Sequence, residues 1–445
     1  MLSKEDNELL CRVGPGTPMG SLFRQYWLPA MLSSELPRSD GDQVRVKLLG
    51  EELIGFRDTD GRVGLVQNAC PHRGASLFFA RNEECGLRCV YHGWKFDVTG
   101  QCVDMPNEPA ESNFKTKVKA RAYPCVERGG VVWTYMGPRE AAPALPDLEG
   151  NMLPESTVYA ETRNCNWMQA LEGDIDTVHF SWLHCGHLEP EDAAGDFLRY
   201  QVMDRHPKFS VVDTEWGTSY AAFIPVNDDK TYCRMAHFLF PCYSMIPQGE
   251  VMANRRVRAW VPMDDEHVIW FIMSAPPLTS FNMNATAGAK TLAGGRGRAA
   301  GQGHEMRPNT SDWYGRFQPV PDAANDYQLD RDSWRRGETW AGLPSVTIED
   351  HMVTETMGTI YNRPEEHLGT SDAMIIRTRQ RLLRAAEALD KDGLVPPGVD
   401  EPQVYQQRSG GLLLAKDADW FEATVDARRA FVDHPSEAIL ASVKP

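Results

Sequence analysis

The chain has 445 residues, 62 acidic against 46 Lys and Arg, and a formal net charge of −16. Roughly two to four domains fit that length, and an acidic surface excludes nucleic acid or anionic membrane as the main partner. Ten cysteines are too few for a disulfide scaffold, and Lys4, Glu5, Asp6 and Glu8 leave no apolar core for a secretory signal, so a cytoplasmic protein with free or metal-binding thiols is expected.

In chain order, residues 43–49, 53–57 and 62–67 read as short strands rich in Val, Leu, Ile and Phe, with a hairpin turn at Asp58-Thr59-Asp60-Gly61. Residues 131–135 add another strand. Residues 137–154 carry Pro138, Pro143, Pro146 and Pro154 and are expected as a linker or domain edge. Residues 166–187 have few breakers and read mostly as helix. A second hairpin is expected from 256–262 and 267–274 around Asp264-Asp265, its apolar run far too short to span a bilayer. Residues 285–303 hold six Gly and six Ala but no Gly-Lys-Ser/Thr ending, so a surface loop is expected rather than a phosphate cradle. Residues 372–390 form an amphipathic helix with Ile375, Leu382, Ala386 and Leu389 on one face, capped by Thr370 or Ser371 and ended by Gly393. The layout is a small β domain at 1–150 followed by a larger α+β domain at 151–445.

Two clusters carry chemistry. Cys70-Pro71-His72 is followed by Cys89-Val90-Tyr91-His92. Two thiolates and two imidazoles can hold zinc tetrahedrally. Zinc fingers, however, usually pair Cys with Cys and His with His, whereas each half here supplies one of each. A [2Fe-2S] cluster with two Cys on one iron and two His on the other needs that distribution. Cys85 matches neither spacing and reads as a free thiol. In the second cluster, Asp176 and His179 are three residues apart and share a helical face, within reach of a hydrogen bond. His179 and His184 are five apart, about 140° around an ideal helix. They meet at one metal only if the helix widens by a π-turn or ends between them. With a further carboxylate they would form the 2-His-1-carboxylate triad that leaves positions open for dioxygen on Fe(II).

The flanks Cys70-Pro71-His72-Arg73-Gly74 and Cys89-Val90-Tyr91-His92-Gly93-Trp94-Lys95-Phe96 look like the two loops of a Rieske domain. With Asp-x2-His-x4-His downstream, the chain resembles the α (oxygenase) component of Rieske non-haem iron ring-hydroxylating oxygenases. The resemblance is to the phthalate 4,5-dioxygenase and dehydrodivanillate O-demethylase branch. It extends through Gly14-Pro15-Gly16-Thr17-Pro18-Met19-Gly20, through residues 358–363 and through Glu366-His367-Leu368-Gly369-Thr370-Ser371-Asp372.

The resemblance implies an α+β chain, with an N-terminal all-β Rieske domain and a C-terminal helix-grip catalytic domain, an antiparallel sheet curling around a long helix. It implies that Cys70, His72, Cys89 and His92 hold the [2Fe-2S] cluster and that His179, His184 and Asp350 hold Fe(II), with Glu349 a competing ligand. His187 and His351 are left as neighbours or surface residues. Asp176 is implied to bridge an iron ligand to a cluster histidine, His92 of an adjacent subunit in a homotrimer or a pair of trimers.

No Gly-x-Gly-x-x-Gly opens a helix, so NAD(P)H oxidation is assigned to a separate flavin and ferredoxin-type reductase. Phe180, Phe238, Phe240, Tyr243 and Met245 are candidate pocket walls. Arg205, Arg234 and Arg258 are candidate clamps for a carboxylated aromatic substrate. Ring hydroxylation is the expected reaction, with O-demethylation of a methoxylated aryl acid as the alternative. A Rieske electron carrier and a zinc-stabilised binding protein are the readings from other classes.

Overall fold

The computed structural model describes residues 2–251, 254–277, 290, 292 and 303–431. Apart from Lys290, Leu292 and Gly303, the loop expected at 285–303 lies outside the described residues. Among the described residues no helix is long and apolar enough to cross a membrane.

The N-terminal unit is built from small antiparallel sheets. Val44–Leu48, Glu51–Arg57, Val63–Gln67 and Ala122–Tyr123 form one, and Arg81–Glu83, Gly86–Arg88, Lys95–Phe96 and Cys102–Asp104 form another. The first hairpin closes where the sequence places it: Gly61 N–H donates to Asp58 O, and the Asp58 carboxylate takes the Arg62 N–H. Ile54, Phe56, Val66, Leu77, Leu87, Trp94 and Phe96 fill a small core between these sheets. Trp27–Leu32 pairs with Val131–Tyr135, whose fully buried Trp133 joins the main core.

The C-terminal unit is built on an eight-stranded antiparallel sheet. Its order is Thr157–Arg163, Val268–Ser274, Arg256–Pro262, Tyr243–Met245, Lys230–Leu239, Gly217–Pro225 and Lys208–Asp213, with Gly410–Ala415 also paired to Lys230–Leu239. The long helix Ala373–Asp392 buries Met374, Ile375, Leu382, Leu383 and Ala386 and packs on Gly217–Pro225 and Lys208–Asp213. This is the expected helix-grip arrangement. Neither Thr370 nor Ser371 caps the helix. They wind into a 3-10 turn in which the Asp372 carboxylate takes the Gly369 N–H, and Gly393 ends the helix at φ +67°.

The proline-rich stretch is more than a linker. After an irregular run, Glu149–Met152 forms a short helix, and buried Glu149 accepts from Arg255 Nη2 at 2.9 Å and from Arg408 Nε at 2.7 Å. A second buried ion network holds helix Trp167–Ile175. Glu172 takes Arg363 Nη2 at 2.9 Å and Arg379 Nε at 2.6 Å, and Arg363 also donates to Asn7. The motif residues Arg363 and Glu366 therefore act structurally, Glu366 as a further partner of Arg379.

Candidate metal centres and active site

The two cysteine loops are built alike. Cys70 N–H donates to Ala75 O and Cys89 N–H to Trp94 O, while Gly74 and Gly93 donate back to Cys70 O and Cys89 O. Both glycines have positive φ, +76° and +80°, a conformation glycine adopts without penalty. Each loop thus curls around its cysteine. Cys70 and Cys89 are buried, and the histidines sit outward of them with ring centroids 4.3 Å apart. Trp94 stacks on His72 and donates its indole N–H to Asn107. His72 Nδ1 is buried without a hydrogen-bond partner among the described residues, as a nitrogen reserved for a metal would be. Sulfur inside and imidazole outside suits a cluster with its histidine iron toward the surface. Cys85 stands apart, at the tip of the Arg81–Arg88 hairpin, with φ +60°.

The expected helix over 166–187 breaks. Trp167–Ile175 is α-helical and buried on nearly every side, with Asn166 as its N-cap. At Asp176 the backbone becomes extended, and Asp176 Oδ1 accepts from the N–H groups of Val178 and His179. Asp176 thereby ends one helix and caps the next turn. Phe180–His184 is a π-turn, and the His179 and His184 rings come to 5.1 Å between centroids. Of the two devices that would let histidines five apart converge, the π-turn is the one present; the α-helix ends before both of them.

The third arm comes from helix Val346–Thr356, capped by Ser345. Asp350 Oδ1 lies 3.3 Å from His184 Nε2 and 3.6 Å from His179 Nε2, and ligand atoms of the three residues all fall within 4.8 Å of one another. Glu349 points elsewhere, with its Oε2 2.6 Å from His184 Nδ1, the opposite ring nitrogen. It orients the ring and leaves Nε2 facing the centre. Burial disfavours a cationic His184, but Asp350 and Glu349 outweigh it and push the imidazole up to about 10. So much anionic charge around two imidazoles suits a divalent cation. Asp176 Oδ2 is 4.0 Å from His179 Nδ1, longer than a hydrogen bond. His351 is neither ligand nor surface: it is buried between Glu161, at 2.6 Å, and Glu355, at 3.1 Å. His187 is half-buried.

A small cavity opens on the three converging residues, lined among others by Thr177, Phe180, Phe197, Tyr220, Arg234, Gln248 and Arg258. Of the expected walls only Phe180 lines it. Phe238, Phe240, Tyr243 and Met245 are buried in the main core and do not line the cavity. The three arginines also separate. Arg205 Nη2 donates to Leu188 O and Cys185 O and stacks over Trp182. Arg258 is paired with Asp174, which also accepts from Ser244 and Trp260. Arg234 is buried beside Phe180 and Phe197, its Nε has no hydrogen-bond partner, and among the described residues no carboxylate pairs with it. Burial lowers its pKa, with only tyrosines and a cysteine opposing. Phe197 and Tyr220 carry no sequence signal for this site, since they reach it from a separate helix and strand.

The Rieske [2Fe-2S] domain family matches residues 26–124, and the family described as "LigXa C-terminal domain like" matches 134–438. The chain belongs to the Rieske oxygenase α subunits. It is 44% identical to the 3-chlorobenzoate-3,4-dioxygenase oxygenase subunit of Comamonas testosteroni, over 94% of this chain and 97% of that one. It is 35% identical to the phthalate 4,5-dioxygenase oxygenase subunit of Pseudomonas putida, over 94% of both. With the 5,5'-dehydrodivanillate O-demethylase oxygenase subunit of Sphingobium sp. (strain NBRC 103272 / SYK-6) it shares 30% identity, over 88% of this chain and 82% of that one. Its fold matches crystalline dicamba monooxygenase with a TM-score of 0.54 at 19% identity, covering 83% of this chain and 99% of that one. This oxygenase is therefore the terminal component of a Rieske system, with a [2Fe-2S] cluster and a mononuclear iron as its cofactors and a separate electron-donor protein. The electron-carrier and zinc-protein readings are set aside.

Proposed function

We propose that this oxygenase hydroxylates an aromatic ring bearing a carboxylate, and that Arg234 binds the carboxylate. The supporting observation is the unpaired guanidinium in the cavity wall. A buried cation is costly unless an anion meets it, and of the three candidate arginines it alone lines the cavity with no carboxylate partner among the described residues. Phe180 and Phe197 flank it and offer edges and faces to a ring. Two relatives are named for aromatic carboxylates, 3-chlorobenzoate and phthalate.

In this reading Cys70, His72, Cys89 and His92 hold the cluster, and His179, His184 and Asp350 hold the iron. When bound, the two groups supply reductive activation of dioxygen. Glu349 fixes the His184 ring. Asp176 has one oxygen occupied by backbone N–H groups, and the other faces His179. It bridges toward His92 of an adjacent subunit in a homotrimer or a pair of trimers. Electrons come from NAD(P)H through a flavin and ferredoxin-type reductase that docks at the cluster surface.

The test is dioxygen-dependent conversion of benzoates, halobenzoates, phthalates and their methyl esters or amides, with a surrogate reductase and NADH, read by mass spectrometry. A gain of two oxygens and two hydrogens on the acids, with the neutral isosteres poor, is expected. Equal turnover of esters and acids would remove the role of Arg234. Loss of a methylene unit from methoxylated acids would favour O-demethylation.

A further inference from the structure

Arg163 ends strand Thr157–Arg163 and is 2% exposed, yet it belongs to neither metal centre nor to the cavity lining. Its guanidinium lies over the indoles of Trp260 and Trp270, at 4.8 and 5.5 Å, and those rings stack on each other 5.1 Å apart at 5°. The stacked pair fixes the plane of the guanidinium. The polar edge of that plane reaches helix Val346–Thr356. Nη2 is 3.9 Å from Asp350 Oδ2 and Nη1 is 3.5 Å from Thr354 Oγ1. Thr354 Oγ1 donates to the Asp350 carbonyl, so Arg163 spans the helical turn that runs from the proposed ligand to Thr354.

The two Asp350 oxygens thus have different surroundings. Oδ1 faces the two imidazole Nε2 atoms, and Oδ2 faces Arg163. A simple staple between strand and helix is not required here. Glu161 meets His351 at 2.6 Å, and Asn164 N–H donates to Glu355 at 3.0 Å, both between the same two segments and both shorter than either Arg163 contact. Arg163 is also set apart by its charge: Asp350 is the one carboxylate within 4 Å of it among the described residues.

We propose that Arg163 is a positioning residue that holds Oδ2 of Asp350, so that the carboxylate presents Oδ1 to His179 and His184. The proposal rests on the reading of Asp350 as an iron ligand. Partners behind a metal ligand typically contribute 10- to 100-fold to metal affinity.

The test uses the full-length holoenzyme and the affinity for mononuclear iron, measured by competition with a ferrous chelator. The visible spectrum of the cluster and the melting curve serve as internal standards. Arg163→Met should keep the cluster spectrum and the cooperative melt and weaken iron binding by about 10- to 100-fold. Arg163→Lys, which restores the charge, should recover most of that loss. Arg163→Gln reads the same constant should the Met variant not fold. Parental iron affinity in a folded neutral variant would overturn the proposal. So would failure of both neutral variants to fold, since Arg163 would then serve the fold. Asp350→Ala separates the two readings. If it keeps iron, the ligand assignment is wrong; if it loses iron while Arg163→Met does not, only the positioning role falls.

Discussion

Replacing Arg234 with Met tests the substrate reading most directly, because the structure predicts opposite effects on stability and on binding. Arg234 has no carboxylate partner among the described residues, so removing it breaks no ion pair. It also relieves the desolvation of a buried guanidinium and leaves an apolar chain of similar length beside Phe180 and Phe197. Folding stability should hold or rise. Substrate binding should suffer, because truncating one partner of a buried charge pair costs about 2–5 kcal/mol. At 1.36 kcal/mol per tenfold, kcat/KM for an aromatic acid should fall roughly 30- to 5,000-fold. The loss should be concentrated in KM and be small for a neutral analogue.

Arg258→Met is the internal comparison. It strands the buried Asp174, leaving it only Ser244 and Trp260, and should destabilise the fold by about 3–5 kcal/mol. Steady-state kinetics on acid and neutral substrates, with melting curves for both variants, provide the comparison. If Arg234→Met lowers stability as much as Arg258→Met while sparing the acid's KM, Arg234 is an ordinary core residue and the carboxylate argument fails.

Other outcomes follow from the same geometry. Asp176→Asn retains a side-chain oxygen able to cap Val178 and His179, so both metals should stay bound while turnover falls strongly; undiminished turnover would end the bridging role. Asp350→Ala should lose mononuclear iron with an unaltered cluster spectrum, whereas Glu349→Ala should only weaken iron binding, about 10- to 100-fold, in a chelator titration. The reverse order would make Glu349 the ligand. Glu149, held by Arg408 and Arg255, has its carboxyl lowered although burial opposes this. Its contribution to stability is therefore complete above the unfolded carboxyl value of about 4.3 and is lost as pH falls through the lower folded value. Glu149→Gln should shrink the acid-side loss of stability in melts between pH 7 and 3, and a variant with the parental acid profile would show that other carboxylates govern it.

Much of this protein was legible in the chain alone because its chemistry is local. Each cluster loop supplies Cys and His within four residues, and a glycine with positive φ closes each one. The His179/His184 spacing conflicts with an α-helix, which already called for a π-turn or a helix end between them, and the fold contains the π-turn. The hairpins and the helix Ala373–Asp392 were visible for the same reason, since short-range periodicity and turn chemistry specify them. What the tertiary structure decided involves residues far apart in sequence. Glu349 and Asp350 are adjacent in sequence and alike in chemistry, and only the seating of their helix turns Asp350 Oδ1 to both Nε2 atoms and Glu349 to Nδ1. The cavity walls, the contrast between paired Arg258 and unpaired Arg234, and the contact of Arg163 with Asp350 arise where separate strands and helices meet. An arginine looks the same in every sequence, and its charge acquires a role only from the neighbours that folding brings to it or withholds.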